Sequence, residues 1–283
     1  MKAGHESRTA VMVCMARAMA HGRTSVTKFA DPVAVALLPA DARGRVERFR
    51  AGVPPKGLRE HLEREFLHRR SMMMVARTVA VDEAVRASVP PQLVILGAGL
   101  DGRAWRMADL GDVTVFEVDH PDSQREKRAR AAALAPAARE VRFVPVDFER
   151  DDLETALAAA GHDPALTTTW IWEGVVMYLA RSEIESTLEV IERRSARGSR
   201  LIIVYHRPAL VLRLVNLVVR RLGEPLRSAF TTDEMRALLA RYGFRIVTDQ
   251  DLPAIGSGFS AEVARATRVM KHLRIAIADR VSG

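Results

Sequence analysis

Residues 93–107, LVILGAGLDGRAWRM, decide the fold. Four apolar residues, Leu93 to Leu96, read as a buried strand. They run into Gly97-Ala98-Gly99, a turn whose bare backbone can approach a ligand closely. A second apolar run, Phe116-Glu117-Val118-Asp119, ends in an acid. A carboxylate at the end of a second strand accepts hydrogen bonds from ribose hydroxyls, so the pair describes a site for a nucleoside-bearing cofactor.

Outward from that stretch the pattern is strand alternating with helix. The strands expected are Leu93–Leu96, Val113–Val118, Val141–Val146, Thr168–Trp172 and Leu201–Tyr205, with two late ones at Phe244–Thr248 and Arg274–Ala278. The helices between them are expected at Gly102–Asp109, Asp122–Ala135, Asp151–Ala160, Ser182–Arg194, Leu210–Leu222, Asp233–Tyr242 and Ser260–Met270. Alternation of this kind argues for a parallel sheet with right-handed crossovers. Residues 1 to 90 read as helical. Asp31-Pro32 is a helix start signal, and a long helix is expected over Leu58 to Arg86 after the Val53–Gly57 loop. Met72 to Met74 on it either line a pocket or pack the core, and packing is the commoner fate.

Bulk properties narrow the class. The 283 residues are 48% hydrophobic and 28% charged, ordinary for a soluble globular chain with a sizeable core. The only cysteine, Cys14, excludes an intramolecular disulfide and a multi-cysteine metal site, so no metal is expected and a reducing cytoplasm is the expected location. No apolar run is long enough to span a membrane, and Arg8 and Arg17 break up VMVCMARAMA, which reads as an amphipathic helix. The net charge of +8 raises the question of nucleic acid. Its arginines are spread and interleaved with acids, so none is expected as a partner, and no membrane either. The partner expected is a small molecule, with a homodimer as the oligomer to consider.

Gly97, Gly99 and Gly102 satisfy G-x-G-x-x-G, with Asp119 about 20 residues on, so a nicotinamide dinucleotide is one candidate. Three features favour S-adenosyl-L-methionine instead. Some ninety residues of helix precede the first strand. A third strand ends Val144-Pro145-Val146-Asp147-Phe148, where the acid suits an adenine amine and the ring its face. A fourth ends Trp170-Ile171-Trp172-Glu173-Gly174, placing another acid on the same crevice.

These residues carry a family resemblance. The stretch ARTVAVDEAVRASVPPQLVILGAGLDGRAWRM, then FEVDHP, VPVDFE, WEGVVMYL and GEPLRSAFTTDEMRALLARYGF, is similar to the leucine carboxyl methyltransferase family, in its bacterial branch of S-adenosylmethionine-dependent O-methyltransferases. The resemblance runs from about Asp31 to about Asp249. It implies an α/β, class I methyltransferase sheet of seven strands, the last antiparallel. An N-terminal helical cap over 1–90 would precede a cofactor-binding domain over 91–283, with a lid segment at about 208–230. By the same resemblance Arg77 holds the methionine carboxylate of the cofactor, a role that suits a bidentate guanidinium. Gly97, Ala98 and Gly99 form the glycine turn, Asp119 holds the ribose, Asp147 and Phe148 the adenine, and Glu173 stands near the methionyl end. Lys28 matches a lysine that closes over the cofactor. Gly102 departs from the family's usual threonine.

The activity implied is methylation of a small molecule, on oxygen (carboxylate or hydroxyl) in a natural-product pathway, with nitrogen second. A carboxylate acceptor needs no base, whereas a hydroxyl benefits from one. His206, just past the fifth strand, is the candidate base, and Tyr205 and Arg207 flank it. Tyr178 is placed as strand packing, and Pro208 to Arg221 as an apolar lid helix with basic punctuation.

Overall fold

The computed structural model describes residues 7–88, 90–148, 150–210, 212 and 225–281. Seven strands form one sheet: β1 (Gln92–Leu96), β2 (Thr114–Asp119), β3 (Glu140–Pro145), β4 (Thr168–Trp172), β5 (Arg200–His206), β6 (Phe244–Asp251) and β7 (Leu273–Arg280). Their order is β3-β2-β1-β4-β5-β7-β6. The first five are parallel, and β7 is antiparallel to both β5 and β6. This is the expected seven-stranded sheet. Strands β1 and β4 are buried along their whole length, so their apolar residues, Leu93–Leu96 and Trp170–Trp172, are contiguous rather than alternating.

The helices cover both faces. On one face lie α1 (Arg8–Ala20), α2 (Ala34–Leu37), α3 (Ala40–Arg50), α4 (Leu58–Arg86), α5 (Arg103–Arg106), α6 (Pro121–Ala131), α10 (Leu252–Ser257) and α11 (Ala261–Thr267). They pack on Leu93, Ile95, Ile171, Ile202 and Val204. On the other lie α7 (Leu153–Ala159), α8 (Arg181–Arg193) and α9 (Thr232–Arg241), over Val94, Leu96, Trp170, Trp172 and Tyr205. Several of these helices carry side-chain caps, α1 and α9 among them. Ser7 Oγ accepts from Ala10 N, and Thr231 with Glu234 forms a capping box at α9.

Some boundaries differ from expectation. The helix expected over Gly102–Asp109 is two pieces, α5 and a single 3-10 turn at Ala108–Leu110, because Met107 is extended between them. Helix α2 starts at Ala34, so Pro32 is not its first residue, although Asp31 Oδ1 still accepts from Ala34 N. Strand β6 continues to Asp251 through polar residues, because β7 pairs with it there. Helix α10, capped by Asp251, was not expected. The lid helix expected over Leu210–Leu222 lies mostly outside the described residues.

Candidate active site

The strand order reverses between β1 and β4, and in open α/β sheets ligands bind in the crevice at such a point, outside the carboxyl ends of the strands. Register decides what faces it. Leu96 pairs with Val118 on one side and with Trp172 on the other, so Gly97, Asp119 and Glu173 stand at one level, one residue past that row. Asp147 follows β3 beyond the Asp119–Pro145 pair.

The turn after β1 requires its glycines. Gly97 has φ +66°, and a Cβ there would lie 2.2 Å from Val175 Cγ2. Gly99 has φ +45°, and its backbone N–H donates to Asp119 Oδ2 while His120 N–H donates to Oδ1. Asp119 therefore fixes the turn with two of its roughly four lone-pair sites and has acceptor capacity to spare. Burial raises its pKa against those two backbone donors. Gly102, the third glycine of the dinucleotide-like pattern, serves packing. A Cβ there would meet Val33 Cγ2 at 2.7 Å and Asp31 Oδ1 at 3.3 Å.

Arg77 projects from α4 to Glu173, with Nε 2.6 Å from Oε1. Its N–H is not aligned on that oxygen, so Nε is buried without a hydrogen bond. Glu173 Oε2 lies 3.0 Å from Arg103. Burial opposes ionisation of Glu173, but Arg77 and Arg103 outweigh it and its pKa is lowered.

Behind these residues runs a buried chain of charge. Arg17 Nε donates to Asp31 Oδ2 at 2.7 Å, and Asp31 lies 3.7 Å from Arg106 Nε. Arg106 and Arg103 both donate to Asp82, at 2.6 to 2.9 Å, and Arg103 continues to Asp101 and Glu173. Four arginines (17, 77, 103, 106) thus balance four acids (31, 82, 101, 173). Asp82 is held below the usual carboxylate range: burial raises it, and Arg106 and Arg103 outweigh that. Of this chain only Arg77 and Glu173 were read as site residues in the sequence. The arginine inside the apolar run of α1 and the Asp101-x-Arg103 pair beside the glycine turn were the available signals for the others.

The remaining expected residues separate. Asp147 is partly exposed at its strand end, its backbone N–H donating to Asp151, and Phe148 packs on the second core beside it. His206 lies three residues past Ile203, the partner of Trp172, and is 9% exposed. Its Nδ1 is buried without a hydrogen bond, and burial first, then His272 and Arg77, push its pKa down to about 3. It is therefore neutral and a weak base. Tyr205 points to the other face, where its wholly buried hydroxyl donates to Asp249 at 2.8 Å. Arg274 also donates to Asp249. Lys28 does not join the crevice: it pairs with Glu83 on the surface, beside Arg86 and a hollow of about 510 Å³. Of the expected lid, the described end at 225–230 is tied to the turn after β4 and to the end of β5, with Arg227 N–H donating to Met177 O and Phe230 N–H to His206 O.

Strand order, glycine turn and strand-end acids define a class I methyltransferase fold. The chain matches the leucine carboxyl methyltransferase model over residues 10–192 and belongs to that family. Among its relatives, a Frankia alni protein described as an S-adenosyl-L-methionine-dependent methyltransferase is 38% identical over 197 residues. That match covers 68% of this chain and 66% of the relative. A Mycolicibacterium paratuberculosis protein of the same description is 32% identical over 270 residues, 87% of this chain and 78% of that one. The chain spans just under two thirds of the Frankia relative and 46% of a Streptomyces coelicolor one. A crystal structure of a duf574 family protein from Streptomyces avermitilis shares the fold, with TM-score 0.58 at 14% identity. The alignment covers 98% of this chain and 99% of that one.

Proposed function

We infer that the chain is an S-adenosylmethionine-dependent methyltransferase acting on an oxygen of a small molecule, with an ionised carboxylate as the acceptor. The observation that carries the cofactor reading is the buried Arg77 guanidinium, whose Nε lacks a hydrogen bond, at the level of the glycine turn and beside Glu173. Arg77 would hold the carboxylate of the amino-acid tail and Glu173 its ammonium. Asp119 would hold the ribose, and Asp147 with Phe148 the adenine. When bound, S-adenosylmethionine supplies an electrophilic methyl group on a sulfonium. The protein's own task is to align the acceptor and exclude water.

A carboxylate acceptor is supported by the enclosure of His206, whose Nδ1 is buried without a hydrogen bond. An imidazole whose pKa is about 3 takes a proton poorly from a hydroxyl. An acceptor carboxylate, with a reference pKa of about 4, is already ionised and has no proton to lose. Arg77→Ala and Asp119→Ala should each weaken S-adenosylhomocysteine binding in calorimetry, Arg77→Ala by about 1.5–3 kcal/mol, the usual value of a hydrogen bond to a charged group. Binding equal to the parent in both variants would remove these residues from the cofactor site.

A further inference from the structure

Among the described residues Arg70 has no counter-ion. It lies seven residues before Arg77 on α4, about two turns along the same face. Its Nε is buried with no hydrogen-bond partner, and no ion pair among the described residues includes it. Its electrostatic neighbours are Arg77, another cation, and the Tyr178 phenol. Burial first, then the charge of Arg77, lowers its pKa. The arginines behind the crevice contrast with it, since Arg17, Arg103 and Arg106 each meet at least one carboxylate within 2.7 Å.

Arg70 and Arg77 are thus electrostatic neighbours on one face of α4, and Glu173, the acid beside Arg77, is already shared with Arg103. His206 Nδ1, also buried and unpaired, feels Arg77 from the β5 side. Arg70 is half-buried, and a half-buried cation without an anion destabilises the free protein, which a bound anion relieves. The cofactor's single carboxylate accounts for Arg77 and leaves Arg70 over. Outward along α4 the same face presents Phe66 and Leu62. With Met73 and the two arginines they fall within an arc of about 80°. Phe66 and Leu62 are 59% and 60% exposed, unusual for large apolar side chains on a helix otherwise rich in charge.

We propose that Arg70 is the specificity residue that binds the anionic group of the methyl acceptor, and that Phe66 and Leu62 carry the acceptor's apolar body toward the crevice mouth. The acceptor is then an amphiphilic carboxylate, its charge beside the methyl-transfer site and its apolar part along α4. This rests on the methyltransferase reading above.

The test uses octanoate and 1-octanol as probes, titrated calorimetrically into the whole chain saturated with S-adenosylhomocysteine. Octanoate should bind the parent at least tenfold more tightly than octanol does. Arg70→Gln should weaken octanoate at least tenfold, while S-adenosylhomocysteine affinity stays within about twofold and the melting temperature does not fall. Arg70→Lys, which keeps the charge, should recover part of the loss. The proposal is overturned if octanoate fails to bind the loaded parent, if octanol binds as tightly, or if Arg70→Gln binds octanoate as the parent does. A parent that does not bind S-adenosylhomocysteine at all would instead overturn the cofactor reading, and this proposal with it.

Discussion

His206 shows how one residue's surroundings decide its chemistry. In sequence it is a histidine at the right end of the right strand. In the fold it is enclosed, unpaired and beside two groups that disfavour its cation. Its depressed pKa makes stability depend on pH in a definite sense. Above about pH 6.5 the imidazole is neutral in both states and contributes no slope. Below it the unfolded chain takes up a proton that the folded chain refuses until about pH 3, so stability falls as pH falls. Between pH 7 and 5 the loss from this residue is about 2 kcal/mol. His162, pushed down to about 4 chiefly by burial, and His272, lowered by burial, act in the same direction. Urea unfolding of His206→Asn should show a pH 7-to-5 loss smaller than the parent's by that amount. Equal losses would mean that the ring is not enclosed. Arg77 was singled out in the sequence because a pocket carboxylate would demand a fixed cation, and the fold buries it beside Glu173. Arg103 was not, because its partner Asp82 is 21 residues away and pairs with it only once helix and turn have met.

Elements were legible where one physical requirement dominated. Strand β4 and helix α4 have the bounds expected from the sequence, one a short β-branched and aromatic run and the other a long stretch free of glycine and proline. Strand β6 was cut short at Thr248 because Thr248 to Asp251 are polar. Asp249 is nonetheless fixed there by Tyr205 and Arg274, contacts that no local pattern announces. The segment after Gly102 was read as one helix because its composition is helical, yet it breaks at Met107 while Arg103 and Arg106 both turn inward to Asp82. Helix α4 is thus tied to α5 by one carboxylate between two guanidinium groups. Asp82→Ala leaves both partly uncompensated and should cost about 3–5 kcal/mol, read as a lower urea midpoint. A loss under about 1 kcal/mol would show that the buried charges are not energetically coupled. The same variant should weaken cofactor binding less than Arg77→Ala does, since Asp82 stands behind the crevice.

At the scale of the whole molecule, two apolar cores hold helices to the sheet, and the chain of charge from Arg17 to Arg77 joins the N-terminal helices to the glycine turn. Among the described residues no helix is long and apolar enough to cross a membrane. Where the strand order reverses, the fold brings Gly97, Asp119 and Glu173 to one level with Arg77 against Glu173, and under the proposed function these would hold the cofactor's sugar and its charged amino-acid tail. A ligand that binds only the folded state raises stability by about 2.7 kcal/mol at a hundred times its Kd. For a chain of this size that is on the order of 5 °C or more in melting temperature. The most direct measurement is the melting temperature with saturating S-adenosylhomocysteine set beside NAD and NADP. A rise of that order with S-adenosylhomocysteine and none with either dinucleotide is the result expected. A rise with NAD or NADP and none with S-adenosylhomocysteine would contradict the account at its centre.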